Sequence, residues 1–322
     1  MFKADQITSE RKNRRATSFW RIVAILALMS SFVAIFFSNV KTGTNIGKYS
    51  GHIARVRIDG FISGDQNTIS LLSRIEKSTR AKAVIIRINS PGGTTVGSEA
   101  LYEALRKISK KKPVIAVMDS VAASGGYIAA LGTDHIVARG NTITGSIGVI
   151  FQWPEVGKLM NTIGVNMQTI KSGPQKAQPD MYQPLKAEVR EVLEQSVEDS
   201  FVWFKGLVKE RRKLSDADTV RLSDGRVYTG RQALKEKLID AIGGEDVGVK
   251  WLQKNKKIKK TLKVLNWKLP SVTEKVGLSL SLVQGTLKAV GLGKLAHDLA
   301  PALQNNPQNL DGLLVVWQPA IK

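Results

Sequence analysis

The sequence predicts an α/β domain, and the order of two kinds of segment supports this prediction. Nearly unbroken apolar runs, "AKAVIIRINS" at 81–90 and "PVIAVMD" at 113–119, are typical of strands buried on both faces of a sheet. Amphipathic or small-residue segments of helical character separate these runs. The alternation of strands and helices predicts a largely parallel sheet covered by helices.

The individual elements follow in chain order. Residues 52–62 predict a strand with a turn at Asp59 and Gly60, and the "VNMQTIK" run at 165–171 predicts a late strand. Other strands are predicted at 81–90, 113–119, 134–140 and 145–151, and helices at 67–80, 97–111 and after Ser124. A long helix is predicted from near Pro184. Its apolar stripe is assigned to core packing and comprises Leu185, Val189, Leu193, Val197, Phe201, Phe204 and Val208.

The N-terminus predicts a membrane anchor. Residues Ile22–Asn39 form eighteen consecutive residues without a charge, about the length that crosses a bilayer. Six Lys and Arg residues precede this run and few follow it soon, so the positive-inside rule keeps the N-terminus in the cytoplasm. A cleaved signal peptide is the competing interpretation.

The anchor divides the chain into five predicted parts: a basic cytoplasmic segment at 1–19, the span at 20–39, a linker at 40–51, an extracytoplasmic domain at 52–250 and a tail at 251–322. The tail is basic and then apolar. An interfacial helix, a contact with a neighbouring subunit and an ordinary packed or disordered tail all remain open for it.

Composition narrows the range of partners. The chain has 48 Lys and Arg against 27 Asp and Glu, but these charges are scattered and little interleaved with aromatic residues. We therefore expect a solvated basic surface near anionic lipid and no nucleic-acid partner. The chain has no cysteine, which excludes disulfides and thiol catalysis.

Two glycine-containing turns carry the candidate chemistry. In "VAASGGYIAAL" at 121–131, Ser124 follows a buried strand and precedes a helix, so it is a candidate nucleophile. The backbone N–H of Gly125 can stabilise an oxyanion there. The "NSPGG" turn at 89–93 offers further N–H groups after a second strand. Helix capping and a simple turn are the alternatives that need no catalysis.

A nucleophilic serine needs a base, and lysine is the conventional candidate when histidine is excluded. None of the three histidines lies in a loop suited to meeting Ser124. The loop "IKSGPQKAQPD" at 170–180 contains Lys171 and Lys176. A lysine is a base only when neutral, so its pKa must fall well below the usual value of about 10.4. From residue chemistry alone both lysines remain candidates.

Five motifs resemble the signal peptide peptidase A family of membrane-anchored bacterial serine peptidases. They are "NSPGG", "MDSVAASGGYIAA", "ITGSIGVI", "IKSGPQK" and "DGRVYTGRQALKEKLID", in the order and at the spacing of that family. The resemblance covers about residues 52–250. It implies a Clp-protease/crotonase-like domain of repeated β-β-α units after one transmembrane helix, in the short, single-unit form.

The resemblance also implies residue roles. Ser124 matches the nucleophile, Lys176 the general base and Ser146 the serine that orients this lysine, whereas Lys171 matches no role. Gly93 and Gly125 match the oxyanion donors, and no cofactor or metal is implied. In the family the serine and the lysine come from neighbouring units, so the chain is expected to form a homo-oligomeric ring.

The resemblance implies that the domain at 52–250 is a peptidase domain, located outside the cytoplasm at the inner membrane of a bacterium. The implied activity is cleavage of leftover signal peptides or other hydrophobic peptide segments at that membrane. The alternatives are a crotonase-like acyl-thioester enzyme and a non-catalytic scaffold in membrane-protein turnover. Two positions depart from the family pattern. Thr94 stands where a third glycine is frequent, which predicts a narrower substrate groove, and Lys237 stands where glycine is common.

Overall fold

The computed structural model describes residues 50–268 and the backbone of residues 313–316. The chain divides into two compact units, residues 1–50 and 51–322, and the described residues belong almost entirely to the second. The strands are β1 His52–Ile62, β2 Ala81–Thr94, β3 Val114–Ala123, β4 His135–Ala138, β5 Ile143–Gly145, β6 Ile150–Phe151, β7 Val227–Thr229, β8 Ala241–Ile242, β9 Val264–Asn266 and β10 Leu313–Val316. The helices are α1 Gln66–Lys77, α2 Thr95–Ser109, α3 Gly125–Leu131, α4 Gly157–Thr162, α5 Ala187–Arg212, α6 Asp216–Leu222, α7 Gly230–Lys235 and α8 Glu245–Asn255.

One mixed sheet organises this unit. The pairs β9-β1, β1-β2, β2-β3, β3-β4 and β4-β8 are all parallel. Antiparallel pairs join β5 to β7, and β10 to both β2 and β6. In a parallel sheet the carboxyl ends of the strands meet at one edge, where ligands commonly bind. The predicted turn at 89–93 is strand instead, because β2 continues to Thr94. The end of β2, which includes Gly93, and the turn that carries Ser124 both lie at this edge.

The sheet is covered on both faces, as the apolar runs predict. The larger core cluster packs α1, α2, α3 and the end of α5 against one face, and includes Leu72, Leu105, Tyr127 and Phe204. On the other face, Leu252 of α8 packs against alternate residues of the central strands, including Ile85 and Ile115. The two clusters together confirm the predicted α/β architecture.

The predicted strand at 165–171 is wrong, because these residues are irregular. The apolar side chains of this run are exposed rather than packed, and Ile170 is fully exposed. A strand needs a neighbour for its backbone hydrogen bonds, and none of the described strands pairs with this segment.

The predicted long helix is confirmed as α5, but the side chains of its apolar stripe lie in two different environments. Phe204 and Val208 of α5 are fully buried in the core. In the N-terminal half, Leu193 and Val197 instead line a groove of about 550 Å³. Core packing therefore accounts for only part of the stripe.

The position of Lys237 explains why glycine is common there in the family. Its φ is +59°, a left-handed conformation that glycine adopts without steric cost. The carbonyl of Lys237 accepts a hydrogen bond of 2.7 Å from Arg212 Nε, which holds this turn against α5.

No helix among residues 50–268 is long and apolar enough to cross a bilayer. The predicted span at Ile22–Asn39 lies outside the described residues.

Candidate active site

Ser124 sits on a strained turn between β3 and α3. Its φ of 53° and ψ of −116° are rare for a residue with a side chain. Its N–H donates to the carbonyl of Gly145 at 2.8 Å, and its own carbonyl accepts from Tyr127 and Ile128, both at 2.9 Å. Such strain costs about 1 to 3 kcal/mol and is concentrated at functional sites. A sharp strand-to-helix turn also presents the nucleophile in α/β-hydrolases, on a different motif.

The hydroxyl of Ser124 does not cap α3. The helix has no side-chain capping bond at its N-terminus, and the residue is about 1% exposed. Ser124 thus occupies the N-cap position of α3, but its hydroxyl is not used for capping.

The two glycine motifs pack directly against each other. A side chain on Gly126 would place its Cβ 2.7 Å from the carbonyl oxygen of Ser90, so only glycine allows α3 to approach the NSPGG segment this closely. At Gly93 a Cβ would lie 1.9 Å from the carbonyl oxygen of Ile62. These contacts bring the backbone of residues 90–93 beside the turn that carries Ser124.

Ser146 lies on the neighbouring strand end. Ala123 pairs with Gly145 across β3 and β5, so Ser124 and Ser146 directly follow two paired residues. Ser146 has a φ of +49°, and its N–H donates to the carbonyl of Arg226 at 2.8 Å. The sheet thus places both predicted serines at one edge.

The predicted lysines lie on residues 157–183, a largely exposed segment of α4 and irregular backbone that we call the lysine arm. Its two ends meet where the N–H of Val156 donates to the carbonyl of Met181 at 2.8 Å. Lys176 is exposed on this arm and forms no side-chain hydrogen bond or ion pair within the described residues. Within one chain, the structure does not join Lys176 to Ser124 or Ser146.

Lys171 has a different environment. Its Nζ lies 3.2 Å from Asp180 Oδ2, and both side chains are largely buried. The N–H of Tyr182 and the Lys171 ammonium together lower the pKa of Asp180, so this carboxylate stays charged at neutral pH. The Lys171 ammonium is therefore engaged with a carboxylate of its own arm, whereas the Lys176 ammonium has no such partner within the described residues.

Ser90 of the NSPGG segment and Thr94 directly after that segment have roles that sequence reasoning missed. The Ser90 hydroxyl accepts a hydrogen bond of 3.1 Å from the N–H of Gly92 and is fully buried. Thr94 caps α2 by accepting from the N–H of Gly97 at 3.0 Å. The pattern Thr-x-x before a helix could have indicated this cap.

Comparison with known proteins finds two peptidase family models and several protease relatives. The family model Peptidase family S49 matches residues 106–259, and the model for Clp protease matches residues 62–141. A candidate protease of Synechocystis sp. is 36% identical over 200 residues, which is 62% of this chain and 72% of that protein. A candidate protease of Methanocaldococcus jannaschii is 30% identical over 84% of this chain and 91% of its own length. The chloroplastic serine protease SPPA of Arabidopsis thaliana is 31% identical over 78% of this chain and 38% of its own length.

The Clp-protease-like sheet and these similarities define the class of protein, a serine peptidase that acts on peptides. Within that class, the chain belongs to peptidase family S49, the signal peptide peptidase A family.

Proposed function

We propose that the peptidase acts through a Ser124–Lys176 dyad, with Ser146 orienting the lysine and the N–H groups of Gly93 and Gly125 stabilising the oxyanion. The observation that carries this proposal is the strained conformation of Ser124 beside the glycine-lined backbone of residues 90–93. The first N–H groups of a helix have no acceptor within it, so the N–H of Gly125 is available to a substrate oxygen.

The proposed reaction has two stages. Neutral Lys176 takes the hydroxyl proton of Ser124 while Oγ bonds to the peptide carbonyl carbon, and the carbonyl oxygen becomes the oxyanion. When the C–N bond breaks, Lys176 returns the proton to the departing amine and an acyl-enzyme remains. Lys176 then takes a proton from a water molecule as its oxygen bonds to the ester carbon. When the bond between that carbon and Oγ breaks, Lys176 returns the proton to Ser124 and the carboxylic acid product leaves.

A second copy of the chain is proposed to supply the lysine. The lysine arm exposes apolar side chains to solvent, among them Leu159, Ile163 and Ile170. Burial of this surface by a neighbour would stabilise the assembly and desolvate Lys176, which lowers the pKa of a lysine. The proposed assembly is a homo-oligomeric ring in which each arm serves an adjacent Ser124.

The proposed substrates are hydrophobic peptide segments such as cleaved signal peptides. The groove of about 550 Å³ beside β6 has a mainly apolar lining that includes Phe151, Trp153, Leu193 and Val197, with Arg190, Glu194 and Glu198 of α5 also on its wall. Strand β6 pairs with β10, which in turn pairs with β2 at Gly93. An apolar lining favours substrate side chains that gain by leaving water.

Membrane anchoring through residues 20–39 is part of the proposal, with the catalytic domain at 52–250 outside the cytoplasm. The support is the uncharged run at Ile22–Asn39 and its flanking charges. Anionic lipid is the proposed partner of the basic surface.

A covalent serine probe tests the catalytic assignment. We expect a fluorophosphonate to label the full-length protein in detergent at Ser124, as read by peptide mass spectrometry, and Ser124→Ala to lower hydrolysis of a signal-peptide-like substrate by about 10⁴-fold or more. Ser120→Ala is the matched control, because Ser120 is exposed on the same strand. Labelling at another serine, or an inactive chain that assembles normally, would contradict the assignment, and the second result would favour a scaffold.

A further inference from the structure

A cavity of about 510 Å³, which we call the arginine cavity, lies along the outer edge of β1 where β9 ends. Strand β9 pairs with β1 only as far as Asn266 opposite Arg55, and the N–H of Trp267 then donates to the carbonyl of Arg55 at 2.8 Å. The cavity is lined by one carboxylate, Asp59, and by four cationic side chains, which are Arg55, Arg57, Arg87 and Lys268. Its lining includes neither Ser124 nor any residue of the lysine arm.

The three arginines stand together on one face of the sheet. Alternate residues of a strand share a face, so Arg55 and Arg57 lie on the same side of β1. Arg57 is directly opposite Arg87 on β2. Nearer the start of these strands, the same face carries Ile53 and Ile85, which belong to the core cluster under α8. Beyond that cluster the face is left with neighbouring arginines, whose like charges repel one another.

Carboxylates offset part of this charge but leave donors unused. Each arginine forms one ion pair, and the partners are, in chain order, Glu245, Asp59 and Asp119. A guanidinium has five N–H donors, and the Nε atoms of Arg55 and Arg87 are buried without an acceptor among the described residues. Lys268 forms no ion pair within the described residues. Four cations therefore face three carboxylates, and the cluster is short of acceptors.

The lining of the arginine cavity suits a phosphate group that carries an apolar portion. The planar fork of an arginine matches the oxygens of a phosphate, and two such forks side by side can hold one phosphate from two directions. Val56, Leu71 and Trp267 add apolar surface to the same cavity. A phospholipid headgroup with its glycerol and first acyl carbons combines charge and apolar surface in this way.

We propose that the arginine cavity binds the phosphate group of an anionic phospholipid. The choice of a lipid as the source of the phosphate rests on the proposed membrane location. The predicted linker at 40–51 leads directly into β1, and twelve residues span at most about 40 Å when extended. A headgroup bound in the cavity gives the peptidase domain a second attachment to the membrane besides the anchor.

Binding of short-chain lipids tests the proposal without any use of hydrolysis. Full-length protein in a neutral detergent is titrated with dihexanoyl phosphatidylglycerol, dihexanoyl phosphatidylcholine or inorganic phosphate in a calorimeter. We expect saturable binding of the phosphatidylglycerol, about tenfold or more tighter than that of the zwitterionic phosphatidylcholine. Inorganic phosphate should bind more weakly, because it lacks the apolar portion. Equal affinities for inorganic phosphate and phosphatidylglycerol would overturn the lipid as the source, and no saturable binding of either would overturn the phosphate site.

Charge-matched variants separate the arginine cavity from the general basic surface. Arg57→Gln with Lys268→Gln removes two charges from the cavity and should weaken phosphatidylglycerol binding by about tenfold or more. Arg221→Gln with Lys107→Gln removes the same charge from helices outside the cavity and should change binding by less than about twofold. Arg57 and Arg221 are well matched, because their ion-paired side chains are 53% and 54% exposed. Equal losses in the two double variants would show diffuse attraction and overturn the proposal.

Arg57→Lys tests whether the shape of the cation matters. Lysine keeps the charge but lacks the planar fork, so binding should weaken by about three- to fivefold. Binding as tight as that of the wild type would show that charge alone suffices and would contradict recognition by paired arginines. Thermal unfolding of every variant checks that the fold is retained, as expected because Arg57 and Lys268 are exposed.

Peptide hydrolysis measured in parallel keeps this inference distinct from the proposed function. An active protein that binds no lipid overturns only the phosphate site. A protein that binds phosphatidylglycerol in the cavity but hydrolyses no peptide overturns only the proposed function.

Discussion

The segment that carries Ser124 and the arm that carries Lys176 differ in how the chain supports them. Helix α3 is buried along its whole length, and its start is fixed by hydrogen bonds and close backbone contacts. The lysine arm has few buried residues and exposes several large apolar side chains. One half of the proposed site is therefore shaped by the fold of a single chain, whereas the other half lacks a surface to pack against. This difference favours assembly of the site between copies.

The largest expected effect distinguishes the two lysines of the arm. Lys176→Ala should lower kcat/KM by about 10⁴-fold, because the base is lost, which corresponds to about 5.5 kcal/mol of transition-state stabilisation. Lys171→Ala should retain most of the activity, since Lys171 is held in an ion pair with Asp180. Steady-state hydrolysis of one peptide substrate measures both. Equal losses of activity in the two variants would contradict the assignment of the general base to Lys176 alone.

A pair of core and arm substitutions compares the packing of the two regions. Phe204→Ala removes a fully buried ring and should lower the free energy of unfolding by about 3 to 5 kcal/mol. Ile170→Ala on the arm should change it by less than about 0.5 kcal/mol, because this side chain is fully exposed in the single chain. Urea unfolding at a concentration that keeps the protein monomeric provides the measurement. A large loss for Ile170→Ala would show that the arm packs within its own chain.

Much of the packed region can be predicted from the sequence, since buried strands and amphipathic helices leave strong periodic signals. Sequence reasoning can also find the candidate serines, because Ser124 and Ser146 each follow a strand and precede a turn with glycine. The arm cannot be predicted in this way. Its "VNMQTIK" run has the composition of a strand, but composition alone does not show whether a neighbouring strand is within reach. The pairing of β10 with Gly93 is equally hidden, because it joins residues more than two hundred positions apart.

Two residues with a left-handed backbone conformation, one in each region, should give smaller changes in the free energy of unfolding. Lys237 in the packed region has a φ of +59°, and Ala177 on the arm has a φ of +57°. Lys237→Gly should raise the free energy of unfolding by about 0.5 to 1 kcal/mol, because relief of strain exceeds the entropy that glycine loses on folding. Ala177→Gly should leave it nearly unchanged, since the arm contributes little to the cooperative core. Denaturant titrations of both variants test this, and an equal gain at the two sites would contradict it.

The smallest expected effect is on the pH dependence of stability, and it comes from a residue of the packed region. Burial lowers the pKa of His135, outweighing the attraction of Asp240, and its ring stacks on Trp251 at 4.4 Å. His135 therefore binds a proton less readily in the folded form than in the unfolded form. Its contribution to the free energy of unfolding is fully present above the unfolded pKa of about 6.5 and is lost as the pH falls below that value. His135→Gln should flatten this decline between pH 7 and pH 5.5 in thermal unfolding. An unchanged slope would assign the decline to other groups.

The most direct test of assembly between copies mixes two inactive chains. Full-length Ser124→Ala and Lys176→Ala carrying different affinity tags are co-expressed, purified through both tags in detergent and assayed for peptide hydrolysis. If the serine and lysine of one site come from different chains, the mixed assemblies recover a substantial fraction of wild-type activity, while each variant alone stays inactive. Mixed assemblies that remain inactive beside an active wild type would place both residues in one chain and contradict the account.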